Sequence, residues 1–296
     1  MRTLGVRACA VSCGLIALLA LGLTGCGSAA TSVQITDLAS TCELNKPLKL
    51  VPKVVAKIPH QTDAYTQGLL LHEGTLFEST GLYGHSTLRA LNPVTGELLA
   101  QAALPDTAFG EGLAVGLNGE LVQLTWKEET AYRWSAQSLQ DLNTATPSGT
   151  FSYRGEGWGL TRLGSGDFVM TDGSADVILR SAQDFAVTAR HHVYRLDGSA
   201  DGLNELEWDG ESVWASRYQT DEILQIDPDC WTVTAVVDLS GLHDEAVQDA
   251  ALAGTKIDVA NGIAQVLGTD RFLVTGKLWP SIYEVRFVDE SSETVG

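Results

Sequence analysis

From residue 48 onward the chain is a succession of short apolar runs separated by polar and glycine-containing turns. A polar or bulky residue followed by a Gly-Leu-like pair opens five of the segments: Gln67-Gly68-Leu69, Glu111-Gly112-Leu113, Trp158-Gly159-Leu160, Asn204-Glu205-Leu206 and Asn261-Gly262-Ile263. The steps between the leading residues are 44, 47, 46 and 57. Each occurrence is followed by an apolar run (75–79, 120–126, 167–171, 212–216 and 271–275). A second run with the pattern of an outer strand comes next (87–92, 130–134, 177–181, 222–227 and 281–287). Several short strands recurring with a period of roughly 40 to 50 residues are the signature of a β-propeller. Five repeats predict an all-β, five-bladed β-propeller.

An open ring would leave two sheet edges unpaired. The strand-like run 48–58 (LKLVPKVVAKI) precedes the first repeat, so it is expected to complete the final blade and close the ring. The 57-residue step carries an insertion at 240–256, whose part 244–252 (DEAVQDAAL) is rich in helix formers. A short helical insertion in the last blade is therefore expected, and no helix elsewhere. Asn92-Pro93-Val94-Thr95-Gly96 and Asp227-Pro228-Asp229 read as turns between outer strands. One domain, 48–288, holds the ring, with a polar tail at 289–296. Each blade starts on its innermost strand, so Gln67, Glu111, Trp158, Asn204 and Asn261 should converge at one end of the central channel. They form either a divided site or a plug.

The N-terminus has a different character. Arg2 and Arg7 precede an apolar stretch at 11–23, closed by Leu23-Thr24-Gly25-Cys26. Residues 1–25 read as a secretory signal, too short in its apolar core for a bilayer span. The ending resembles a bacterial lipobox, which implies cleavage before Cys26 and lipid attachment to its thiol. An ordinary signal with an incidental Cys26 is the alternative. Residues 26–47 then form a tether, and the protein is expected at the outer face of a bacterial membrane, held by its lipid. The mature domain keeps two cysteines, Cys42 and Cys230. In an oxidising compartment they point to one disulfide; two buried free thiols are the other possibility.

The formal net charge is −18. Such a surface makes nucleic acid and anionic membrane poor partners, while cationic peptides and sugars are not repelled. The six histidines show no ligand spacing, and His191-His192 reads as loop surface. No phosphate loop, Gly-x-Ser-x-Gly, His-Glu-x-x-His or Cys-x-x-Cys is present. No metal and no cofactor is expected.

Several longer motifs carry a resemblance. They are Tyr65-Thr66-Gln67-Gly68-Leu69, the run from Leu76 to Gly84, Phe109-Gly110-Glu111-Gly112-Leu113 and Gly157-Trp158-Gly159-Leu160 in the first three repeats. Leu203-Asn204-Glu205-Leu206-Glu207, Gln219-Thr220-Asp221, Asn261-Gly262-Ile263-Ala264 and Thr275-Gly276-Lys277-Leu278-Trp279-Pro280 follow in the last two. Together, over about residues 50 to 287, they resemble the plant and bacterial type of glutaminyl cyclase. The resemblance implies a glutaminyl-peptide cyclotransferase. In that reaction the α-amine of an N-terminal glutamine attacks its own γ-amide carbon, giving pyroglutamate and ammonia without a metal, unlike the zinc-dependent animal enzymes of the same activity. Glu111 falls on the family's proton-shuttling acid/base and Lys277 on its lysine, which could support the oxyanion or hold Glu111 ionised. Gln67 and Asn204 offer amide groups to grip the substrate, and Tyr65, Trp126 and Trp158 match its aromatic walls. The plant enzymes carry a tryptophan before Gln-Thr-Asp, where this chain has Tyr218, so the wall survives with altered size and polarity. The partners implied are peptides and proteins with an N-terminal glutamine, acted on by a monomer.

Two other readings fit the same positions. Glu111, Asn204, Asp258 and Asn261 could form an oxygen-rich ring for a hard cation, as in a calcium-dependent propeller lactonase. A surface propeller that binds protein or sugar and catalyses nothing is the second.

Overall fold

A computed structural model describes residues 42–293. The signal, Cys26 and most of the tether lie outside the described residues. The chain is all-β and built from consecutive antiparallel meanders. The N-terminal strand β1 (Leu48–Pro59) is followed by three four-stranded sheets. The first contains β2 (Thr66–His72), β3 (Thr75–Thr80), β4 (Thr87–Leu91) and β5 (Leu98–Ala103). The second contains β6 (Gly110–Val115), β7 (Leu121–Thr125), β8 (Thr130–Trp134) and β9 (Gly149–Ser152). The third contains β10 (Leu160–Arg162), β11 (Phe168–Thr171), β12 (Asp176–Arg180) and β13 (Val187–His192).

Two further meanders share one eight-stranded sheet. They are β14 (Leu203–Trp208), β15 (Val213–Arg217), β16 (Glu222–Asp227) and β17 (Thr232–Asp238), then β18 (Ala260–Val266), β19 (Arg271–Gly276) and β20 (Ser281–Asp289). Strand β1 joins them, in the order β14-β15-β16-β17-β1-β20-β19-β18. It runs antiparallel to β20 from Leu50↔Asp289 to Pro59↔Ser281, with a bulge between Val54 and Ala56. At its start it also runs parallel to β17, Leu48 to Leu50 facing Ala235 to Val237. A disulfide between Cys42 and Cys230 (Cα–Cα 5.6 Å) ties the segment ahead of β1 to the turn ahead of β17.

The packing explains why the first two strands of each meander read as buried, largely apolar runs. Successive side chains point to opposite faces of a strand, and here both faces are covered. Leu113 of β6 packs with Leu70, Phe77 and Leu121, whereas Ala114 packs with Val122, Leu160 and Phe168. Val213 and Ala215 of β15 join Val169, Leu203 and Leu206, while Trp214 between them joins Ile263, Phe272 and Val285. The fifth cluster joins β18–β20 to β2–β4 through Ala264, Leu273, Ile282, Leu69, Leu76 and Leu91. Outer strands alternate instead, as in β5 and β13, because one face meets water.

The repeated motif marks a bulge. The β2–β3 register slips at Gln67, β6–β7 at Glu111-Gly112, β14–β15 at Asn204-Glu205 and β18–β19 at Asn261-Gly262. A bulge re-aims the side chain it carries, so four meanders turn their leading residue out of the regular pleat. The motif glycine serves a different need, close approach between neighbouring first strands. A Cβ at Gly159 would stand 1.9 Å from the carbonyl oxygen of Asn204, and one at Gly112 would stand 2.5 Å from the amide nitrogen of Leu160. The fourth repeat has Glu205 in place of glycine. Its buried carboxylate accepts from Leu69 N (3.1 Å) and Ile263 N (2.9 Å), linking β14 to β2 and β18.

The insertion is helical: α1 (Ser240–Ala253) lies between β17 and β18, ahead of the final meander's first strand. Leu242, Ala246 and Ala250, one turn apart, are its buried face, and Gly254 ends it in the left-handed conformation (φ 70°). Two expectations need correction. Helix is not confined to the insertion, since a short helical turn, α2 (Glu290–Glu293), follows β20, with Asp289 accepting from Ser291 N (2.8 Å) as its cap. His191 and His192 lie on β13, not in a loop; His191 stacks on Trp231 and His192 pairs with Asp176.

Candidate functional site

A cavity of about 190 Å³ opens at the bulged ends of the first strands. Gln67, Glu111, Trp158 and Asn204, four of the five leading residues, line it. Tyr65, Trp126, Tyr218 and Lys277 line it too, so the eight catalytic and substrate-binding candidates read from the sequence meet in one place. Leu82 and Phe109 complete the wall. Both lie inside the quoted motifs, but neither has polar chemistry that would single it out. Asn261, the fifth leading residue, is not in the lining.

The polar floor is ordered by hydrogen bonds that run one way. Asn261 Nδ2 donates to Gln67 Oε1 (3.1 Å) and to the carbonyl of Thr66 (3.0 Å). With its oxygen so engaged, Gln67 turns Nε2 toward Glu111 and donates to Oε1 (2.9 Å). Gln67 lines the cavity and its amide also holds Glu111 in place, with one N–H left over. Asn204 differs, because its Oδ1 is buried and has no partner, an unused acceptor beside the cavity.

Glu111 and Lys277 are the two charged groups of the floor, 5% and 3% exposed. Burial pushes the Glu111 carboxyl well above the ordinary carboxylate range; Lys277 opposes that shift, and Glu128 and Glu156 add to it. Burial likewise lowers the Lys277 ammonium, against the pull of Glu111 and Asp258. Lys277 Nζ stands 4.9 Å from the Tyr65 ring centre and 5.2 Å from that of Tyr218. These ring faces compensate part of the lost hydration by cation–π attraction. Desolvation moves both pKa values toward the middle of the pH scale, a frequent arrangement where protons are exchanged.

The aromatic wall is held from outside by carboxylates. Tyr65 OH donates to Asp258 Oδ2 (3.1 Å), and Tyr83 OH to Glu128 Oε1 (2.8 Å). Trp126 and Trp158 both donate to Glu156. Phe109 meets Tyr65, Tyr83 and Trp126 edge-on, at 6.2, 5.4 and 5.6 Å, and Trp158 meets Tyr218 the same way at 5.2 Å. Leu82, Gln219 and Leu278, each within or next to the lining, have φ of 80°, 59° and 63°. Non-glycine residues rarely adopt this region, and such strain gathers where a site must be held in one shape.

Two of the four residues considered for a cation ring are engaged elsewhere. Asp258 is engaged with Tyr65 OH and with its neighbour Val259 N, while the Asn261 amide nitrogen faces Gln67. Among the described residues no group of three or more His, Cys, Asp or Glu side chains is placed to hold a metal ion.

The chain is similar to known proteins of one family. The glutamine cyclotransferase family profile matches residues 20–287. The glutaminyl-peptide cyclotransferase of Arabidopsis thaliana is 35% identical over 243 residues, 82% of this chain and 73% of that protein. The crystal structure of Myxococcus xanthus glutaminyl cyclase is similar with a TM-score of 0.72 and 34% identity, over 82% of this chain and 99% of that one. The chain belongs to the glutamine cyclotransferase family.

Proposed function

We propose that the protein is a glutaminyl-peptide cyclotransferase, acting on N-terminal glutamine without a metal. The observation that carries this is the pair Glu111 and Lys277, buried together on the floor of an aromatic-walled cavity. At about 190 Å³ the cavity is below the volume range of drug-sized ligand sites, and it suits a single reacting residue. The reaction is intramolecular, so holding the glutamine side chain curled toward its own amine supplies much of the acceleration.

The neutral α-amine adds to the γ-amide carbon, and the proton it sheds passes to the Glu111 carboxylate. Glu111 then delivers that proton to the amide nitrogen, which leaves as ammonia as the lactam carbonyl reforms. The carboxylate is regenerated, so the cycle balances. A carboxyl whose pKa lies well above 4.5 gives up its proton at less acidic pH than an ordinary glutamate. Lys277 supplies positive charge beside the developing oxyanion. Asn204 Oδ1 supplies an acceptor for a substrate N–H. Gln67, braced by Asn261, keeps Glu111 in its working position.

In the same reading the fold is a five-bladed propeller closed by β1. Support comes from the cyclic contacts of the first strands, β2 to β6, β6 to β10, β10 to β14, β14 to β18 and β18 to β2. The five apolar clusters, one at each junction between successive meanders, support it as well. The signal-like segment and Leu23-Thr24-Gly25-Cys26 support the further reading of a lipid-anchored enzyme at the outer face of a bacterial membrane, acting as a monomer on exported peptides.

The test is ammonia release from a Gln-Ala peptide by the purified domain, with and without EDTA. Equal ammonia in both, with a matching loss of about 17 Da from the peptide (the mass of ammonia released in the lactam-forming step), is the expected result. Ammonia lost on chelation would overturn the metal-free site, and none from folded protein would overturn the activity. The pH profile of kcat/KM should be bell-shaped. Its acid limb should lie well above 4.5, where Glu111 becomes the carboxylate that accepts the proton, and its alkaline limb below 10.5, where Lys277 loses its charge. An acid limb near 4.5 would remove Glu111 from the proton transfer.

A further inference from the structure

We infer that Glu156 is a positioning residue for this reaction, setting the angle between the two tryptophan walls of the cavity. The inference rests on the cyclotransferase reading for its effect on turnover, and on geometry alone for the positioning itself. Glu156 lies in the loop between β9 and β10, and it does not line the cavity. A single oxygen, Oε2, accepts from Trp126 Nε1 at 2.8 Å and from Trp158 Nε1 at 3.0 Å. The two indoles come from different meanders, Trp126 from the end of β7 and Trp158 from the segment before β10. One acceptor atom shared between them fixes both rings relative to each other.

The rest of the surroundings keeps that oxygen in place. Glu156 Oε1 is 3.6 Å from Lys127 Nζ, which stands 3.6 Å over the Trp126 ring centre. Trp126 is therefore held at its N–H by Glu156, on one face by Lys127 and at its edge by Phe109. Next to Glu156, Gly157 N donates to the carbonyl of Trp126 (2.9 Å). A Cβ at Gly157 would stand 2.4 Å from Tyr153 OH and 2.8 Å from the carbonyl of Thr125, so the loop lies close only because this residue is glycine. Burial pushes the Glu156 carboxyl upward, but the bonds from Trp158 and Trp126 and the charge of Lys127 outweigh it and hold the group below the usual range. The acceptor is thus ionised over the pH range in which Glu111 exchanges its proton.

Trp126 and Trp158 are the walls against which the glutamine must curl, and a displacement of about 1 Å in a reacting group can cost about 100-fold in rate. The experiment compares Glu156→Ala and Glu156→Gln by near-ultraviolet circular dichroism of the indoles and by steady-state kinetics on a Gln-peptide. Glu156→Ala is expected to lose part of the indole signal and to lower kcat about 10- to 100-fold, with far-ultraviolet spectrum and cooperative unfolding retained. Glu156→Gln keeps an acceptor oxygen without the charge, and should hold the indole signal and stay within about fivefold of wild type, the weaker neutral acceptor accounting for the difference. Equal loss in both variants would mean that charge, not positioning, is the role, and would overturn the inference. An unchanged indole spectrum in Glu156→Ala would overturn it too. If the wild type releases no ammonia, the cyclotransferase reading fails separately, while the spectra still decide whether Glu156 holds the walls.

Discussion

Replacing Glu111 by Gln is expected to lower kcat about 1,000-fold or more while leaving peptide affinity within a few-fold of wild type. General acid–base catalysis contributes about 10²- to 10⁴-fold, and here one group both takes and returns the proton, so both halves of the reaction are lost together. The substitution is close to isosteric. Its side-chain oxygen can still accept from Gln67 Nε2, so the relay from Asn261 through Gln67 stays in place. The aromatic walls and Asn204 are untouched. Binding is read by quenching of tryptophan fluorescence and turnover by ammonia release. Retention of more than a tenth of kcat would show that another group moves the proton.

The same variant has a signature in stability. A carboxyl whose folded pKa is raised binds more protons in the folded state than in the unfolded state between those two pKa values. Stability then falls as pH rises through that window. Glu111, with its pKa well above 4.5, is such a group. Glu111→Gln removes the ionisation cost, and its unfolding temperature should equal or exceed that of the wild type at neutral and alkaline pH. A loss of catalysis joined to a gain in stability separates a functional carboxylate from a structural one.

Replacing Gly159 by Ala is expected to be the most damaging single methyl among the glycines of the repeated motif. The added Cβ would lie 1.9 Å from the carbonyl oxygen and 2.8 Å from the carbonyl carbon of Asn204, both backbone atoms of the neighbouring first strand. No side-chain rotation relieves that clash; β10 and β14 must move apart. The Thr171 hydroxyl, which accepts from Gly159 N (2.7 Å) and donates to the Asn204 carbonyl (2.8 Å), would lose its place between them. Overpacking costs typically about 1–3 kcal/mol and occasionally more; with backbone on both sides the upper end applies, about 3 kcal/mol. Activity should fall as well, because Trp158 and Asn204 stand on either side of the contact. Urea unfolding checks it, with Gly149→Ala as control, since a Cβ there meets nothing within 4 Å. A Gly159→Ala midpoint equal to the control's would show that the strands are not in such close contact.

The legible part of this protein was what repeats. The X-Gly-Leu motif located the first strand of each meander because its spacing and apolar content follow from local geometry. Polar residues such as Glu111 and Lys277 stood out by chemical type and by resemblance. The bulges at Gln67, Glu111, Asn204 and Asn261 were not legible, because a bulge is a property of pairing between strands and leaves no unique local pattern. Glu156 and Glu128 were missed for a related reason. They sit in turns without periodicity, and only the convergence of ring N–H and O–H groups on them reveals what they hold. Asn261 was expected with the other leading residues at the channel end, as part of a site or of a plug; that its side chain braces Gln67 depends on a contact almost two hundred positions apart.

Strand β1 gives the chain an unusual order of assembly. It is synthesised before every other described strand, yet its main partner, β20, comes at the other end, with Leu50 facing Asp289. The four meanders between them each join neighbours in sequence and can form from local contacts as they emerge. The contact between the two ends has the longest separation in the ladder, and such pairings come late because the whole intervening loop must first be ordered. Until then β1 has only its first residues, Leu48 to Leu50, to place against β17, and Val51, Val54 and Val55 lie on a stretch without a partner strand. A segment of that kind is open to pairing with other nascent chains. The three lysines of the strand, Lys49, Lys53 and Lys57, are the charges that discourage it.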